Sequence, residues 1–296
     1  MRTPSPLIER LERPTPDEFY RDYISRNRPA ILTGIADRWP AFARWTPAHF
    51  QSEFGDVEIN YVTWASDEEA NDPADYLKTR KKLALKLGAF VEMMRAAGCT
   101  SSRNSSRNYI AQFPIFRVLP QLAHDIEPLD AYMRIPAYYP EALRKRLLFE
   151  PRLWMGPRGT VTTLHFDAAH NFLAQIHGRK KLILVAPEQS SLVYYPASEL
   201  EHIIYSPVDA EAPDFDRFPL YKEATPLELV IEPGEILFIP VRWWHYARAL
   251  DESISLNFWW WAVACLRRMP GPYLVHKKKK LQERLKRFRT ARRERA

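Results

Sequence analysis

The chain has 296 residues and a formal net charge of +7, and its 46% hydrophobic and 13% aromatic content is ample for the core of a β-barrel enzyme with added helices. Only two cysteines are present, which excludes a disulfide framework and a cysteine-based zinc module. Neither a secretory signal nor a run of roughly 18 apolar residues is found, so we expect a soluble, cytoplasmic protein with no membrane partner.

Residues 1–108 indicate mixed helices and strands that we expect to pack on a later barrel. Thr15-Pro16-Asp17-Glu18 combines an N-cap, a proline at the first helical position and an acid three residues after the cap, which predicts a helix to about Arg26. The other elements predicted here are a strand at 30–33, a helix at 47–55, a strand at 57–61 and a helix at 87–97.

Residues 109–262 change character to short β segments divided by turns, which is typical of a sandwich or barrel. After a first strand at 109–113, about eight more are predicted at 153–155, 160–165, 171–177, 180–186, 227–232, 235–239, 245–249 and 253–260. Eight short antiparallel strands fit a double-stranded β-helix, or jelly roll. The fold class is therefore mainly β with flanking helices.

Two imidazoles and one carboxylate are the best candidates for chemistry. His165 and Asp167 lie two apart on one predicted strand, so both face the same way. His245 begins a late strand that can lie opposite them. Two histidines and a carboxylate on one face suit iron(II) and leave positions for oxygen and a co-substrate, although His-x-Asp alone is a weak pattern.

Several motifs occur in an order and spacing that resemble the JmjC or cupin-like Fe(II)/2-oxoglutarate oxygenases, and in particular the asparaginyl hydroxylase that inhibits hypoxia-inducible factor. The resemblance covers about 109–260. The motifs are Thr162-Thr163-Leu164-His165-Phe166-Asp167, Asn171-Phe172-Leu173-Ala174-Gln175-Ile176, Gly178-Arg179-Lys180-Lys181, Pro213 to Pro219, Pro233-Gly234-Glu235, Trp243-Trp244-His245 and Asn257-Phe258-Trp259.

The resemblance implies a role for each matching residue. His165, Asp167 and His245 would ligate the iron and be catalytic. Lys180 would pair with the remote carboxylate of 2-oxoglutarate, because a buried ammonium is costly without such a partner. The remaining cofactor-binding candidates are Thr162 and Tyr109, as hydroxyl partners of the same carboxylate, and Asn171 and Asn257, as amides near the co-substrate and metal.

The activity implied by the resemblance is hydroxylation of a C–H bond, coupled to conversion of 2-oxoglutarate and O2 to succinate and carbon dioxide, with ascorbate as a stimulant. Asparagine specificity does not carry over. Ile204 and Tyr205 stand where the asparaginyl hydroxylase has an Arg-Gln pair, and Ala111 replaces a glutamine. All of these changes remove polar groups that hold the target asparagine.

The positive charge belongs to the C-terminal tail, residues 263–296. From Arg267 onward thirteen Lys or Arg residues face two Glu, a net of +11. Leu274, Leu281, Leu285 and Phe288 have the spacing of one helical face. Two interpretations remain: a solvated helix that packs on the body or forms a homodimer, and an RNA- or polyanion-binding segment at 277–296.

Four functions follow from these features. We favour hydroxylation of a protein or peptide side chain. An RNA-modifying hydroxylase of the same family, acting for example on a tRNA base, is the alternative, because of the basic tail. Histone demethylation is disfavoured since no zinc or reader module accompanies the barrel, and a non-catalytic binding module has no need for both the metal triad and Lys180.

Overall fold

The computed structural model describes residues 8–64, 79–98, 108–135, 138–194, 203–262 and Cys265. The strands in these ranges are β1 (Arg10–Glu12), β2 (Ala30–Thr33), β3 (Glu58–Thr63), β4 (Lys81–Lys86), β5 (Asn108–Phe113), β6 (Arg152–Gly156), β7 (Val161–Asp167), β8 (His170–His177), β9 (Lys180–Val185), β10 (Ile203–Tyr205), β11 (Leu227–Ile231), β12 (Ile236–Ile239), β13 (Trp244–Ala249) and β14 (Ser253–Trp260). The α-helices are α1 (Pro16–Phe19), α2 (Pro40–Arg44), α3 (Pro47–Phe54), α4 (Leu87–Gly98), α5 (Ile115–Val118), α6 (Asp130–Met133) and α7 (Glu141–Leu147).

The strands form two sheets, one of nine strands in the order β1-β2-β12-β8-β14-β6-β5-β3-β4 and one of five in the order β10-β7-β13-β9-β11. Apart from β1 with β2, all paired strands are antiparallel. The jelly-roll prediction is confirmed, and each predicted barrel strand lies within two residues of an observed one. Strands from the first hundred residues extend the larger sheet, because β2 pairs with β12 and β3 pairs with β5.

The outer face of the nine-stranded sheet is covered by the N-terminal helices. Helix α1 begins with a capping box in which Thr15 and Glu18 satisfy each other's backbone N–H groups. The predicted helix continues past α1 as a π-helical turn, Tyr20–Ile24. The ring of Phe19 packs against Phe238 at a centroid distance of 5.2 Å. Both faces of the central strands are therefore buried, which explains their nearly continuous apolar sequence.

The space between the two sheets is lined at one end by aliphatic side chains, Ile31, Leu173, Leu182, Leu184, Ile231, Leu237 and Ile239. The outer face of the five-stranded sheet carries a separate cluster around Phe166 and Trp244, which the segment containing Val208 and Phe218 covers. Side chains alternate between the two faces along each strand. Polar residues that point to the same side as these aliphatic residues therefore also lie between the sheets.

The described part of the chain contains no helix with the length and apolar character that crossing a membrane requires. The basic tail predicted at 263–296 lies outside the described residues except for Cys265.

Candidate metal centre and co-substrate pocket

Strands β7 and β13 bring the three candidate metal ligands together. They are neighbours in the five-stranded sheet, and His245 lies directly opposite His165 in the ladder. One ligand atom from each of His165, Asp167 and His245 lies within 4.8 Å of the other two, and all three residues are buried. The prediction that a late strand returns His245 to the His-x-Asp pair therefore describes the observed arrangement.

Backbone carbonyls fix the orientation of both imidazoles. His165 donates from Nδ1 to the Thr163 carbonyl at 2.8 Å, and His245 donates from Nδ1 to the Trp243 carbonyl at 3.0 Å. With Nδ1 protonated, each Nε2 lone pair is available to a metal. Burial, with a further contribution from the neighbouring His245, lowers the pKa of His165 to about 4, which keeps this imidazole neutral.

The carboxylate of Asp167 is held from the opposite sheet. Trp259 donates its indole N–H to Asp167 Oδ2 at 2.7 Å, and the same oxygen lies 3.7 Å from His245 Nε2. Trp259 was not among the predicted site residues. Trp259 lies two residues beyond Asn257 on the same strand, so both side chains point to the inward face. This alternation of side chains could have identified Trp259 from the sequence.

The turn between β12 and β13, which leads into His245, is hydrogen-bonded to the end of β7. The backbone N–H of Arg242 donates to the Asp167 carbonyl at 3.1 Å, and the indole of Trp243 donates to the Asn27 carbonyl at 2.8 Å. Asn27 in turn donates through its side chain to the Val241 carbonyl at 3.3 Å. The N-terminal region therefore braces the turn that presents His245.

These residues fit an iron(II) centre. Two imidazoles and one carboxylate, all buried and converging from adjacent strands, form the facial donor set that non-haem iron oxygenases use. A hydrogen bond to each of the three side chains sets its orientation before any metal binds.

A β-bulge brings Thr162 to the same face as the metal ligands. Thr162 and His165 are three positions apart, so a regular strand would point them in opposite directions. In the ladder, however, Ala247 pairs with Thr162 while His245 pairs with His165, which leaves one extra residue on β7. The inward position of Thr162 therefore depends on a local irregularity.

Lys180 is a buried cation on the inward face of β9. It is 4% exposed and donates to Ser255 Oγ at 2.5 Å, and no acidic group in the described ranges lies within ion-pair distance of it. Burial lowers the pKa of Lys180 to about 7. A buried ammonium without an acid is expensive, so this position suits the carboxylate of a bound dicarboxylate such as 2-oxoglutarate.

The other predicted pocket residues lie on the nine-stranded sheet. Asn257 donates from Nδ2 to Asn171 Oδ1 at 3.0 Å, and both amides are buried. Tyr109 is buried and packs over Gly156, where a Cβ would lie 2.8 Å from Tyr109 Cδ2 and 2.7 Å from Thr160 Oγ1. Gly156 therefore makes room for the Tyr109 ring.

An aromatic wall adjoins the metal ligands; we use this name for Trp64, Tyr109, Trp154 and Tyr205. Tyr205 pairs with His165 in the ladder, and its ring stacks on the imidazole at a centroid distance of 5.2 Å. Ala111 packs against the same wall. Two positions at which the asparaginyl hydroxylase has polar groups are therefore part of an apolar surface here.

His170 lies in the aromatic core. Its place three residues after Asp167 predicts an exposed turn histidine, or a residue that touches the substrate, but in the structure His170 is fully buried. Its Nδ1 accepts from the Val241 N–H at 3.1 Å, and its ring lies against Phe238 and Trp260 in the aromatic core. The turn after β7 is shorter than expected, because β8 begins at His170 itself.

Comparisons with known proteins identify a family and relatives for this chain. A family model described as a cupin-like domain matches residues 16–264. The chain is 33% identical over 257 residues to "Lysine-specific demethylase 8" of Xenopus tropicalis, covering 86% of this chain and 52% of that protein. It is 33% identical over 242 residues to "Lysine-specific demethylase JMJ30" of Arabidopsis thaliana, covering 82% and 52%.

A relative of more similar length is the human "Bifunctional peptidase and (3S)-lysyl hydroxylase JMJD7", at 26% identity over 266 residues, covering 83% of this chain and 81% of that protein. The chain spans only about half the length of the two demethylases. The cupin-like match includes both metal-bearing strands and the strand that carries Lys180. The chain therefore belongs to the cupin-like JmjC family of iron(II)- and 2-oxoglutarate-dependent oxygenases.

Proposed function

We propose that this protein hydroxylates a C–H bond of a protein or peptide side chain. The observation that carries the proposal is the uncompensated ammonium of Lys180, buried between the sheets on the inward face that also presents the metal ligands. When bound, iron(II) with 2-oxoglutarate and O2 supplies the oxidation, in which one oxygen atom enters succinate and the other enters the substrate as carbon dioxide leaves.

The chain's own residues hold these partners. His165, Asp167 and His245 would bind the metal, and Lys180 would bind the remote carboxylate with help from the hydroxyls of Thr162 and Tyr109. Asn171 and Asn257, which hydrogen bond to each other, would line the pocket between the co-substrate and the metal. Burial of all these groups excludes water from the reacting centre.

The aromatic wall supports an aliphatic target rather than a carboxamide. Tyr205 and Ala111 have no side-chain amide that could hydrogen bond to a substrate carboxamide beside His165. An aromatic surface instead suits the methylene groups of a long side chain and attracts a cation at its end. The names of the relatives include a lysyl hydroxylase and lysine-specific demethylases. We therefore propose lysine as the first side chain to test.

The decisive experiment is mass spectrometry on peptide and proteome pools incubated with the iron-loaded protein, 2-oxoglutarate and ascorbate. The expected result is a side chain heavier by one oxygen atom, formed in step with succinate. Loss of a methyl group with release of formaldehyde would instead identify a demethylase. If wild-type protein forms no succinate and shows no absorption band with iron(II) and 2-oxoglutarate under anaerobic conditions, the oxygenase proposal is wrong.

A second candidate function, hydroxylation of an RNA base, is favoured by one observation, the net charge of +11 from Arg267 to the C-terminus. It predicts salt-sensitive tRNA binding that disappears when residues 277–296 are removed, and an oxidised nucleoside in treated tRNA. Tail-independent tRNA binding would contradict it.

Light scattering on a chain ending at Arg268 tests the other proposal for the tail, a homodimer, because an undiminished dimer would exclude the tail as its interface.

A further inference from the structure

A chain of hydrogen bonds runs from Lys180 into the backbone of the turn between β8 and β9. Lys180 Nζ donates to Ser255 Oγ at 2.5 Å, and Ser255 Oγ donates to Gln175 Oε1 at 2.8 Å. Gln175 Nε2 then donates to the carbonyls of His177 and Gly178, both at 2.8 Å. We call Lys180, Ser255 and Gln175 the lysine relay.

The chemistry of the end groups fixes the direction of the lysine relay. Backbone carbonyls can only accept, so the NH2 end of Gln175 must face the turn and its carbonyl oxygen must face Ser255. The Ser255 hydroxyl proton is then committed to Gln175, and its lone pairs face Lys180. An ammonium group has three N–H donors, and Ser255 takes one of them.

The strand register shows that the relay is built into the sheet. Ser255 and Gln175 lie directly opposite each other on β14 and β8, and both are fully buried. The turn that anchors Gln175 has little freedom, since Gly178 has φ +68° and a Cβ there would lie 2.0 Å from the Glu252 carbonyl oxygen. Apolar side chains would fill these positions without the desolvation cost of two polar groups.

We propose that Ser255 and Gln175 are positioning residues that hold the Lys180 ammonium at one location and direct its remaining N–H donors to the remote carboxylate of 2-oxoglutarate. This inference rests on the proposed function, because it assumes that Lys180 binds the co-substrate. Neither residue touches the dicarboxylate; each acts through the residue before it in the relay. The lowered pKa of Lys180 is consistent with this, since the relay supplies only neutral dipoles and leaves the charge for the ligand.

The test measures 2-oxoglutarate binding to the metal-loaded protein by anaerobic calorimetry, together with succinate formation. Ser255→Ala should weaken 2-oxoglutarate binding about ten-fold, because one hydrogen bond to a charged group is lost. At saturating 2-oxoglutarate its rate should stay within about two-fold of wild type, so that KM changes and kcat does not. Ser253→Ala is the matched control, and should bind 2-oxoglutarate as the wild type does.

Ser253 is a matched control because it also accepts a hydrogen bond from Gln175 Nε2, at 3.0 Å. When the Ser253 hydroxyl is removed, Gln175 Nε2 still donates to the carbonyls of His177 and Gly178. If Ser255→Ala unfolds, Gln175→Met carries the test, with an expected weakening of about three-fold because the hydroxyl loses its fixed direction. Wild-type affinity in both variants, or a loss of kcat with unchanged affinity, would overturn the relay. Failure of the wild-type protein to bind 2-oxoglutarate would instead overturn the proposed function.

Discussion

Lys180 and Lys181 are neighbours on β9, yet the two faces of the five-stranded sheet treat them oppositely. Lys180 points between the sheets, where burial without an acid lowers its pKa to about 7. Lys181 points outward and forms ion pairs with Glu211 at 3.1 Å and Glu228 at 3.0 Å. Burial alone would lower the pKa of Lys181, but hydrogen bonds to these two acids raise it.

On the outer face, the basic side chains of Lys181 and Arg248 are paired with acidic side chains. Glu211 also accepts two hydrogen bonds from Arg248, at 2.6 and 2.7 Å, and one from the Tyr246 hydroxyl at 2.9 Å. Burial would raise the pKa of Glu211, but these donors and Lys181 lower it to about 2. Among the described residues of this sheet, Lys181, Glu211 and Arg248 are paired on the outer face, whereas Lys180 lies between the sheets with no acid within ion-pair distance. This difference separates a stabilising network from a candidate binding site.

The largest expected effect is on the inward face, with Asp167→Ala. Removing the carboxylate leaves two imidazoles, too few to hold iron(II) in the facial arrangement, so succinate formation should fall below detection. Coupled assays of succinate and measurement of bound iron check this. Asp216→Ala, at an exposed loop position, is the control and should behave as wild type. Retained turnover in Asp167→Ala would remove this residue as a ligand.

Lys180→Met should separate binding from stability. The remote carboxylate loses its cation, so 2-oxoglutarate binding should weaken about a hundred-fold or more. The unliganded protein should instead become more stable at pH 6.5, by about 1–4 kcal/mol, because a buried unpaired charge is replaced by an apolar side chain. Calorimetry and chemical denaturation measure the two effects. A variant that is less stable than wild type at this pH would contradict the uncompensated charge.

The same lysine predicts a pH dependence. The pKa is about 7 in the folded protein and 10.5 ordinarily, so between these values the unfolded chain holds a proton that the folded chain has released. Wild-type stability should therefore rise with pH across this window, by up to about 1.4 kcal/mol per pH unit from this group. In Lys180→Met that contribution is absent. Parallel curves for the two proteins from pH 7 to 10 would show that Lys180 titrates normally.

On the outer face, Glu211→Gln should cost about 3 kcal/mol of unfolding free energy at pH 7, because three donors lose their charged acceptor. A lowered carboxyl pKa contributes stability above its ordinary value of 4.5 that is lost as pH falls towards 2. The difference between wild type and variant should therefore shrink across this range in urea denaturation. A pH-independent difference would indicate altered packing rather than charge. Binding of 2-oxoglutarate should not change.

Lys181→Met should have the smallest effect. Glu211 keeps Arg248 and Tyr246, and the lysine is partly exposed, so the expected loss at pH 7 is about 0.5–1 kcal/mol. With its pKa raised, Lys181 contributes this stability below pH 10.5 and loses it above. Thermal unfolding next to Lys180→Met provides the comparison, since the two substitutions are identical and one residue apart. Weakened 2-oxoglutarate binding in Lys181→Met would contradict the proposed difference between the inward and outward faces of the five-stranded sheet.

Much of the barrel could be predicted from local signals. Apart from β10, the strands from 152 to 260 are predicted to within two residues, because period-two alternation, turn residues and apolar runs are properties of short segments. Strand β10 was missed, since three residues carry no usable period. The edge strand β4 was also missed; its lysine-rich sequence resembles a solvated loop, a composition that protects exposed sheet edges from further pairing.

The residue types of the site were likewise readable, but their arrangement was not. The alternation of side chains along a strand predicts that Asp167 and His165 point the same way. The same rule predicts that Thr162 points outward, and the bulge on β7 turns it inward instead. Trp259, Gln175 and Ser255 looked like ordinary strand residues, because their hydrogen-bond partners lie on other strands. His170 looked exposed because burial of a histidine depends on which aromatic side chains surround it.

The sequence by itself determined the jelly roll, the family and the three candidate metal ligands, because alternation, turn chemistry and ordered motifs are encoded along the chain. Only the tertiary structure decided which lysine of the Lys180-Lys181 pair lacks an acid, how Asp167 is held by Trp259, and that Tyr205 stacks on His165. These features depend on sheet register, where residues distant in sequence meet, and electrostatic energies follow from that distance and burial rather than from order in the chain.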